Sequence, residues 1–358
     1  MLFSINAQDF IREFKAIIQI IPTHTTFPIL SNVKIKVEKN KINIFATDLD
    51  TSVIYKMDSY TEESSVIVVP ARTLFSIVEK IEGEIKFYKE ENRIKIEYEK
   101  GYSYLPITPE EDYPSEPEIA SLNTYSVNPD EINEVIDQLI FIVPEDPAKR
   151  RYSGMLWDYE NKNLRFVATD SFSLGYKDIK IDLGEEPFKI VVPPKILKQL
   201  PLFSSKEMKI GVDESRVYFL GDRFTLVSNL IKIDFPDYKS VISIEKKNIL
   251  IVDKESFLSS LRRVSVFSND RFKSVHLDLG DDLYIESFSE IGECKEEIKG
   301  EYKGDKMRIT LSSNYLINFL RKIKSQKAFL NFKDEDNPVG IEGEDKEIFY
   351  LSMPITTE

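Results

Sequence analysis

Ala46-Thr47-Asp48 returns as Ala168-Thr169-Asp170, 122 residues later, and Val68-Val69-Pro70 returns as Val191-Val192-Pro193, 123 residues later. Two unrelated triplets sharing nearly one offset indicate a duplicated unit, and duplication restricts the fold to copies of one supersecondary pattern. Asp112-Tyr113-Pro114 and Phe235-Pro236-Asp237-Tyr238 close the first two units at the same distance. A fainter third unit follows, in which Ile309-Thr310-Leu311-Ser312 precedes a helical pattern 118 residues after Val191. Three units fill the 358 residues, with boundaries expected at 1–118, 119–245 and 246–358 where the patterning fails, near Ser115 to Leu122 and Ser243 to Asn248.

Within each unit the apolar period switches in the same order. The opening segment has helical spacing: Phe10, Phe14, Ile17, Ile18 and Ile21, then Ile132, Val135, Ile136, Leu139 and Ile140, then Phe257, Leu261 and Val264. Alternating strands follow, as in Val33 to Val37, a polar turn at Glu38 to Lys41, and Ile42 to Phe45. A second short helix is expected around Arg72 to Ile81, Pro194 to Phe203 and Asn314 to Ile323, where proline before or inside the first turn suits a helix start. More strands complete each unit. Helix, strands, helix, strands is an α+β pattern with three repeated domains, expected to pack side by side into an arc.

Hydrophobic residues make up 42% and charged residues 30% of the chain, which excludes disordered and collagen-like classes. The formal net charge of −13 opposes general adhesion to nucleic acid or anionic membranes, while leaving room for a local basic surface. The single cysteine, Cys294, cannot form an internal disulfide and points to a reducing cytoplasm. No stretch reaches the roughly 18 apolar residues of a membrane span, and Asp9, Arg12 and Glu13 interrupt the apolar pattern of the first helix, against a signal peptide.

The positive charge is concentrated on helices and their ends. Asn314 to Lys327 carries Arg321, Lys322, Lys324 and Lys327 with no acid, and Pro194 to Lys206 carries Lys195, Lys198 and Lys206 with none. Lys149-Arg150-Arg151 forms another cluster, Arg262-Arg263 sits on the third unit's first helix, and Arg12, Lys15, Arg72 and Lys80 are candidates in the first unit. On one helix this is a solvated face or a complement to the helix dipole. Repeated in equivalent helices it makes a phosphate-backbone track, sequence-blind because no base-reading motif accompanies it.

Catalytic signatures are missing. The chain has neither a G-x-x-x-x-G-K-[ST] loop nor a G-x-G-x-x-G fingerprint, and its two histidines, His24 and His276, lack metal-ligand spacing. Asp334 to Pro338 superficially suggests a calcium loop, but Val339 stands where the sixth-position glycine is required, so a turn is expected. Asp48 with Asp50 is a carboxylate pair without a convergent nucleophile. A carboxylate-based hydrolase and a plain β-rich repeat scaffold are the rival readings.

Phe27-Pro28-Ile29-Leu30-Ser31-Asn32, Ala46-Thr47-Asp48-Leu49, Val68-Val69-Pro70-Ala71-Arg72, Gly154-Met155-Leu156, Ala168-Thr169-Asp170, Phe235-Pro236-Asp237-Tyr238, Ser268-Asn269-Asp270-Arg271-Phe272 and Met353-Pro354-Ile355 together resemble the bacterial DNA polymerase III beta subunit family, the sliding clamps. The resemblance runs the length of the chain in order. It implies a homodimeric ring with helices inside and sheets outside, encircling double-stranded DNA in the cytoplasm. Such a ring tethers the polymerase III catalytic subunit for processive synthesis, is opened by a clamp loader, and docks other proteins that carry the clamp-binding motif. It implies no catalysis, no cofactor, no metal and no membrane.

The resemblance further implies a peptide cleft on Tyr152, Thr169, Ser171, Phe172, Ser173, Leu174, Pro236, Ser240, Val241, Leu351, Ser352, Met353, Pro354 and Ile355. Ser171-Phe172-Ser173 stands where the family commonly reads Gly-His-Arg, and the chain ends Met353-Pro354-Ile355-Thr356-Thr357-Glu358 in place of Met-Pro-Met-Arg-Leu, so the rim is less basic. Family DNA contacts fall on His24, Arg150 and Arg151. With the helix charges the expected set is His24, Arg72, Lys149, Arg150, Arg151, Lys195, Lys198, Arg262, Arg263, Arg321 and Lys322. The protomer interface falls on Val266 and Phe267 opposite an edge strand near Ser103, Tyr104 and Leu105.

Overall fold

The computed structural model describes all residues except 62, 120–121, 145–151, 269–272 and 356–358. Two helices mark each third of the chain: α1 (Ala7–Ile17) and α2 (Ala71–Val78), α3 (Pro129–Leu139) and α4 (Pro194–Gln199), α5 (Lys254–Val264) and α6 (Ser313–Lys322). Their starts repeat as well. The side chains of Asn6, Asn128 and Asp253 accept hydrogen bonds from backbone N–H groups in the first turns of α1, α3 and α5, filling donors that a helix end leaves unpaired. Pro70 and Pro193 precede α2 and α4, and the Ser312 hydroxyl caps α6.

Each opening helix follows a short strand that the periodicity does not reveal: Phe3–Asn6, Thr124–Val127 and Asn248–Asp253. These segments are four to six residues long and run directly into the helix, too short for alternation to stand out. The helices bury one face. Phe10, Phe14 and Ile17 of α1 are fully enclosed, as are Leu316, Phe319 and Leu320 of α6, each worth about 1.5–3 kcal/mol when removed from water. Phe319 stacks on Tyr350 with ring centroids 4.5 Å apart, so truncating it to alanine costs about 3–5 kcal/mol.

Among the described residues the strands form sheets of five, eight, nine and four, joined by antiparallel pairings. The eight-stranded sheet is continuous from the central third into the first, because Phe224–Asn229 pairs with Thr51–Asp58, Leu226 opposite Val53. The nine-stranded sheet is continuous from the central third into the last, because Ser173–Lys180 pairs with Ile348–Ser352, Leu174 opposite Leu351. Gly175 marks a close approach there: a Cβ would stand 2.9 Å from the Tyr350 ring and 2.7 Å from Ile142. Strand pairing therefore gathers the chain into two compact units, Met1–Glu134 with Val192–Ile231, and Val135–Val191 with Lys232–Glu358. Among the described residues one end of the five-stranded sheet is Gly101–Pro106 and one end of the four-stranded sheet is Gly292–Glu297, each with one neighbouring strand.

Candidate partner cleft and basic helix ends

The repeated Ala-Thr-Asp triplet is one turn built twice. In the first unit the Thr47 hydroxyl donates to the Thr51 carbonyl (3.2 Å) and accepts from the Leu49 N–H (3.0 Å), while Asp48 Oδ1 accepts from the N–H groups of Asp50 and Thr51. In the second unit the Thr169 hydroxyl donates to the Ser173 carbonyl (2.7 Å) and accepts from the Ser171 N–H (3.3 Å), while Asp170 Oδ1 accepts from the N–H groups of Phe172 and Ser173. Both turns hold a non-glycine residue in left-handed backbone, Leu49 at φ 79° and Ser171 at φ 82°. Asp48 and Asp50 are thus turn residues, and Asp48 also ion-pairs with Lys195. Asp334 likewise accepts from the Asp336 and Asn337 N–H groups, the turn expected there.

Around the second turn the structure brings together a large part of the expected cleft. Thr169, Ser173, Leu174, Leu351 and Ser352 are buried and form its floor. Ser171 and Phe172 stand exposed at the tip, and Met353, Pro354 and Ile355 are half-buried beside it. The Met353 N–H donates to the Phe172 carbonyl (2.8 Å), and the Tyr315 hydroxyl donates to Asp170 Oδ2 (2.6 Å). Tyr315 is absent from the expected set, since its partner lies 145 residues away.

Pro236, Ser240 and Val241 lie on the connector after residue 231. Pro236 is half-buried, whereas Ser240 and Val241 are exposed. Tyr238 fixes this connector by donating to Asp158 Oδ2 (2.7 Å), and burial, then that carboxylate, push its phenol well above the ordinary range. Ile244 packs into the space left by Gly340, and Lys246 ion-pairs with Glu342. A cavity of about 450 Å³ opens beside Pro236, between Leu156, Val191 and the connector. Tyr152 is half-buried ahead of the strand Met155–Glu160.

The basic residues differ in how their charge is used. Lys149, Arg150 and Arg151 lie outside the described residues, as does the Asn269 to Phe272 part of its motif. His24, Arg72, Lys198, Arg262 and Arg321 are exposed. Arg72 also donates to the Ile21 carbonyl (2.9 Å), closing the end of the segment after α1. Arg262 and Arg321 sit in the last turns of α5 and α6, where a cation complements the helix dipole. Lys195 is committed to Asp48, Lys322 to Asp137 (2.7 Å) and Arg263 to Glu296, whose carboxylate that guanidinium holds below its usual range.

At the expected interface Val266 is 63% exposed, and the half-buried Phe267 ring lies against Gly292 of the four-stranded sheet's edge strand. On Gly101–Pro106 the side chains alternate: Ser103 is half-buried and Leu105 is 3% exposed and belongs to its own sheet's core, so Tyr102 and Tyr104 point outward. Exposed Phe288 and Ile291 extend the apolar surface of the last third.

Comparison with known proteins agrees with this geometry along the whole chain. The DNA polymerase III beta subunit N-terminal, central and C-terminal domain descriptions match residues 1–117, 126–237 and 239–356. The beta sliding clamp of Pseudomonas aeruginosa is 23% identical, covering 99% of this chain and all of its own, and that of Caulobacter vibrioides is 25% identical over 94% of each. The crystal structures of the sliding clamp from Bacillus subtilis (24% identical, TM-score 0.95, 100% of both chains) and of the DNA polymerase III beta subunit from Thermotoga maritima (22%, TM-score 0.91, 99% of both) share the fold. The chain belongs to the bacterial DNA polymerase III beta subunit family, the sliding clamps.

Proposed function

We propose that two copies of this chain close head to tail around duplex DNA and tether the replicative polymerase, without catalysis of their own. Three clamp domains, 1–118, 119–245 and 246–358, make up each copy. The observation that carries the reading is the pair of free edges. Each junction between successive thirds within the chain is an antiparallel strand pairing, and among the described residues Gly101–Pro106 and Gly292–Glu297 are edge strands of the first and last thirds, next to the residues that the resemblance gives to the protomer interface. Two such edges, one from each of two copies, satisfy each other, giving a heterologous contact that closes after one repetition. The acidic balance of −13 repels DNA from the outside, while exposed Arg262, Arg321, Lys198, Arg72 and His24 offer sequence-blind contacts.

A tether that slides cannot grip, so its hold is topological. The test is retention. Loaded by a clamp loader on nicked circular DNA, the protein stays bound at salt that abolishes binding to a linear duplex, and cutting the circle releases it. Equal retention on cut and uncut circles, with no end-blocking protein present, overturns encirclement. The cleft around Asp170 and Met353 is the docking point for the polymerase III catalytic subunit, the clamp loader and other proteins carrying a short clamp-binding peptide. Ordering such a segment costs free energy, which sets its affinity near the micromolar range.

A further inference from the structure

At both junctions between the thirds of this chain a buried glutamine amide bridges a helix end in one third to a helix end in the next. At the first, Gln199 Nε2 at the end of α4 donates to the Gln19 carbonyl just after α1 (2.9 Å). At the second, Gln138 Nε2 on α3 donates to the Lys322 carbonyl at the end of α6 (3.4 Å). Gln199 and Gln138 are 6% and 3% exposed, so both amides lie away from bulk solvent.

The oxygen of each amide separates the two. Gln138 Oε1 accepts from the buried Lys177 ammonium (3.0 Å), and the Gln138 carbonyl accepts from the Tyr350 hydroxyl (2.9 Å). Gln199 Oε1 is buried without a hydrogen-bond partner in the protein, an acceptor whose desolvation no bond offsets. The repeat accounts for the difference. Lys177 lies 122 residues after Tyr55, the offset of the Ala-Thr-Asp triplets, and Tyr55 donates its hydroxyl to Glu13 within the first third.

Packing divides in the same way, although the strand pairings at the two junctions are of equal length. Across the second, Phe141 of the central third meets Phe319 and Tyr350 of the last, with ring centroids 5.8 and 6.2 Å apart. Across the first, the ring contact among the described residues is Tyr55 with Phe203, at 6.2 Å. The other side-chain ties there lie toward the surface: Lys195 with Asp48, Arg223 with Asp58 (3.4 Å), and Asn229 with Leu49 and Asp50. Exposed ion pairs contribute little stability.

We infer that the junction between the first and central thirds is the hinge of this chain, while the junction between the central and last thirds moves as one block. Resting on the ring reading above, the arc bends at the first junction when the seam between copies parts.

Hydrogen exchange read by mass spectrometry on the full-length protein compares the ends of α1 and α4 with the ends of α3 and α6. Corrected for intrinsic rates, the α1 and α4 ends are expected to exchange about tenfold faster. Lys177→Met strands Gln138 Oε1 and is expected to speed exchange at α3 and α6 about threefold, leaving α1 and α4 unchanged, with a urea melt showing the variant folded. Phe267→Asp, which breaks the seam, speeds exchange at the first junction alone. Equal protection of both junctions in the wild type, or greater protection of the first, overturns the hinge, and no change in Lys177→Met overturns the part given to the buried amide. If Phe267→Asp separates the copies and speeds both junctions alike, bending is not confined to the first and the inference fails. If that variant stays paired, the seam reading fails instead, and the wild-type comparison still decides the hinge.

Discussion

The Arg263 guanidinium makes two hydrogen bonds to the Glu296 carboxylate, at 2.6 and 2.7 Å, tying the last turn of α5 to the free edge strand Gly292–Glu297. Neighbouring Arg262 is exposed on the same turn. The two arginines therefore separate a structural role from a phosphate contact. Arg262→Glu is expected to lower loading on nicked circles and flatten the salt dependence of linear-duplex binding, leaving the dimer intact. Arg263→Glu is expected to affect the dimer instead, by placing two carboxylates together beside the edge. Gel-filtration light scattering and filter binding distinguish them, and equal effects of both on DNA would contradict the assignment.

Phe267→Asp is expected to split the dimer, since a carboxylate beside Gly292 would be desolvated without a partner. The wild type should run near twice 41.5 kDa at micromolar concentration and the variant near 41.5 kDa. Sedimentation velocity gives both values, and a variant that remains dimeric would remove Phe267 from the interface.

Relieving the two left-handed turn positions should stabilise the fold. Leu49 and Ser171 each adopt φ near 80°, which disfavours side chains by about 1–2 kcal/mol, partly offset by the greater freedom of glycine in the unfolded chain. Ser171→Gly and Leu49→Gly are each expected to gain up to about 1 kcal/mol, read as a higher urea midpoint at unchanged slope.

Alkaline pH should unfold the protein through its buried phenols. Burial, then the Glu13 carboxylate bonded to Tyr55 and Asp158 bonded to Tyr238, raises the pKa of both phenols, and burial does the same for Tyr113 and Tyr350. Each folded value lies above the unfolded one. The stability they contribute is thus fully present below about pH 10 and is lost as pH rises toward the folded values, because the unfolded chain releases those protons first. Urea midpoints from pH 8 to 11.5 should fall above pH 10, and less steeply in Tyr238→Phe.

The parts of the fold that repeat, or that alternate over short distances, were legible in the amino-acid order. Val33, Ile35 and Val37 announce their strand because every second residue is buried, and the Ala-Thr-Asp triplets announce a turn because the same hydrogen bonds need the same residues twice. The sheet continuity between Leu174 and Leu351 was not legible, since nothing local in either strand encodes a partner so distant. The site divides in the same way. Its floor follows from residues at positions that resemble the family's, whereas the commitment of Arg263 to Glu296, 33 residues away, and of Lys322 to Asp137, 185 residues away, arises only on folding. Leu105 shows the limit most simply, because a strand's alternation gives two faces and only the folded sheet says which is inside.

The edge strands Gly101–Pro106 and Gly292–Glu297 also make a clock. Amide hydrogens facing out of an edge exchange with solvent within seconds, and those engaged across a seam exchange only when the seam parts. At a pH where amide exchange outruns reclosing, a single parting exposes both edges at once, so their outward amides would exchange at one common rate, equal to the rate at which the circle opens, while the interior strands keep slower times of their own. Deuterium uptake at two short segments, more than 180 residues apart in the chain, would then report the same lifetime.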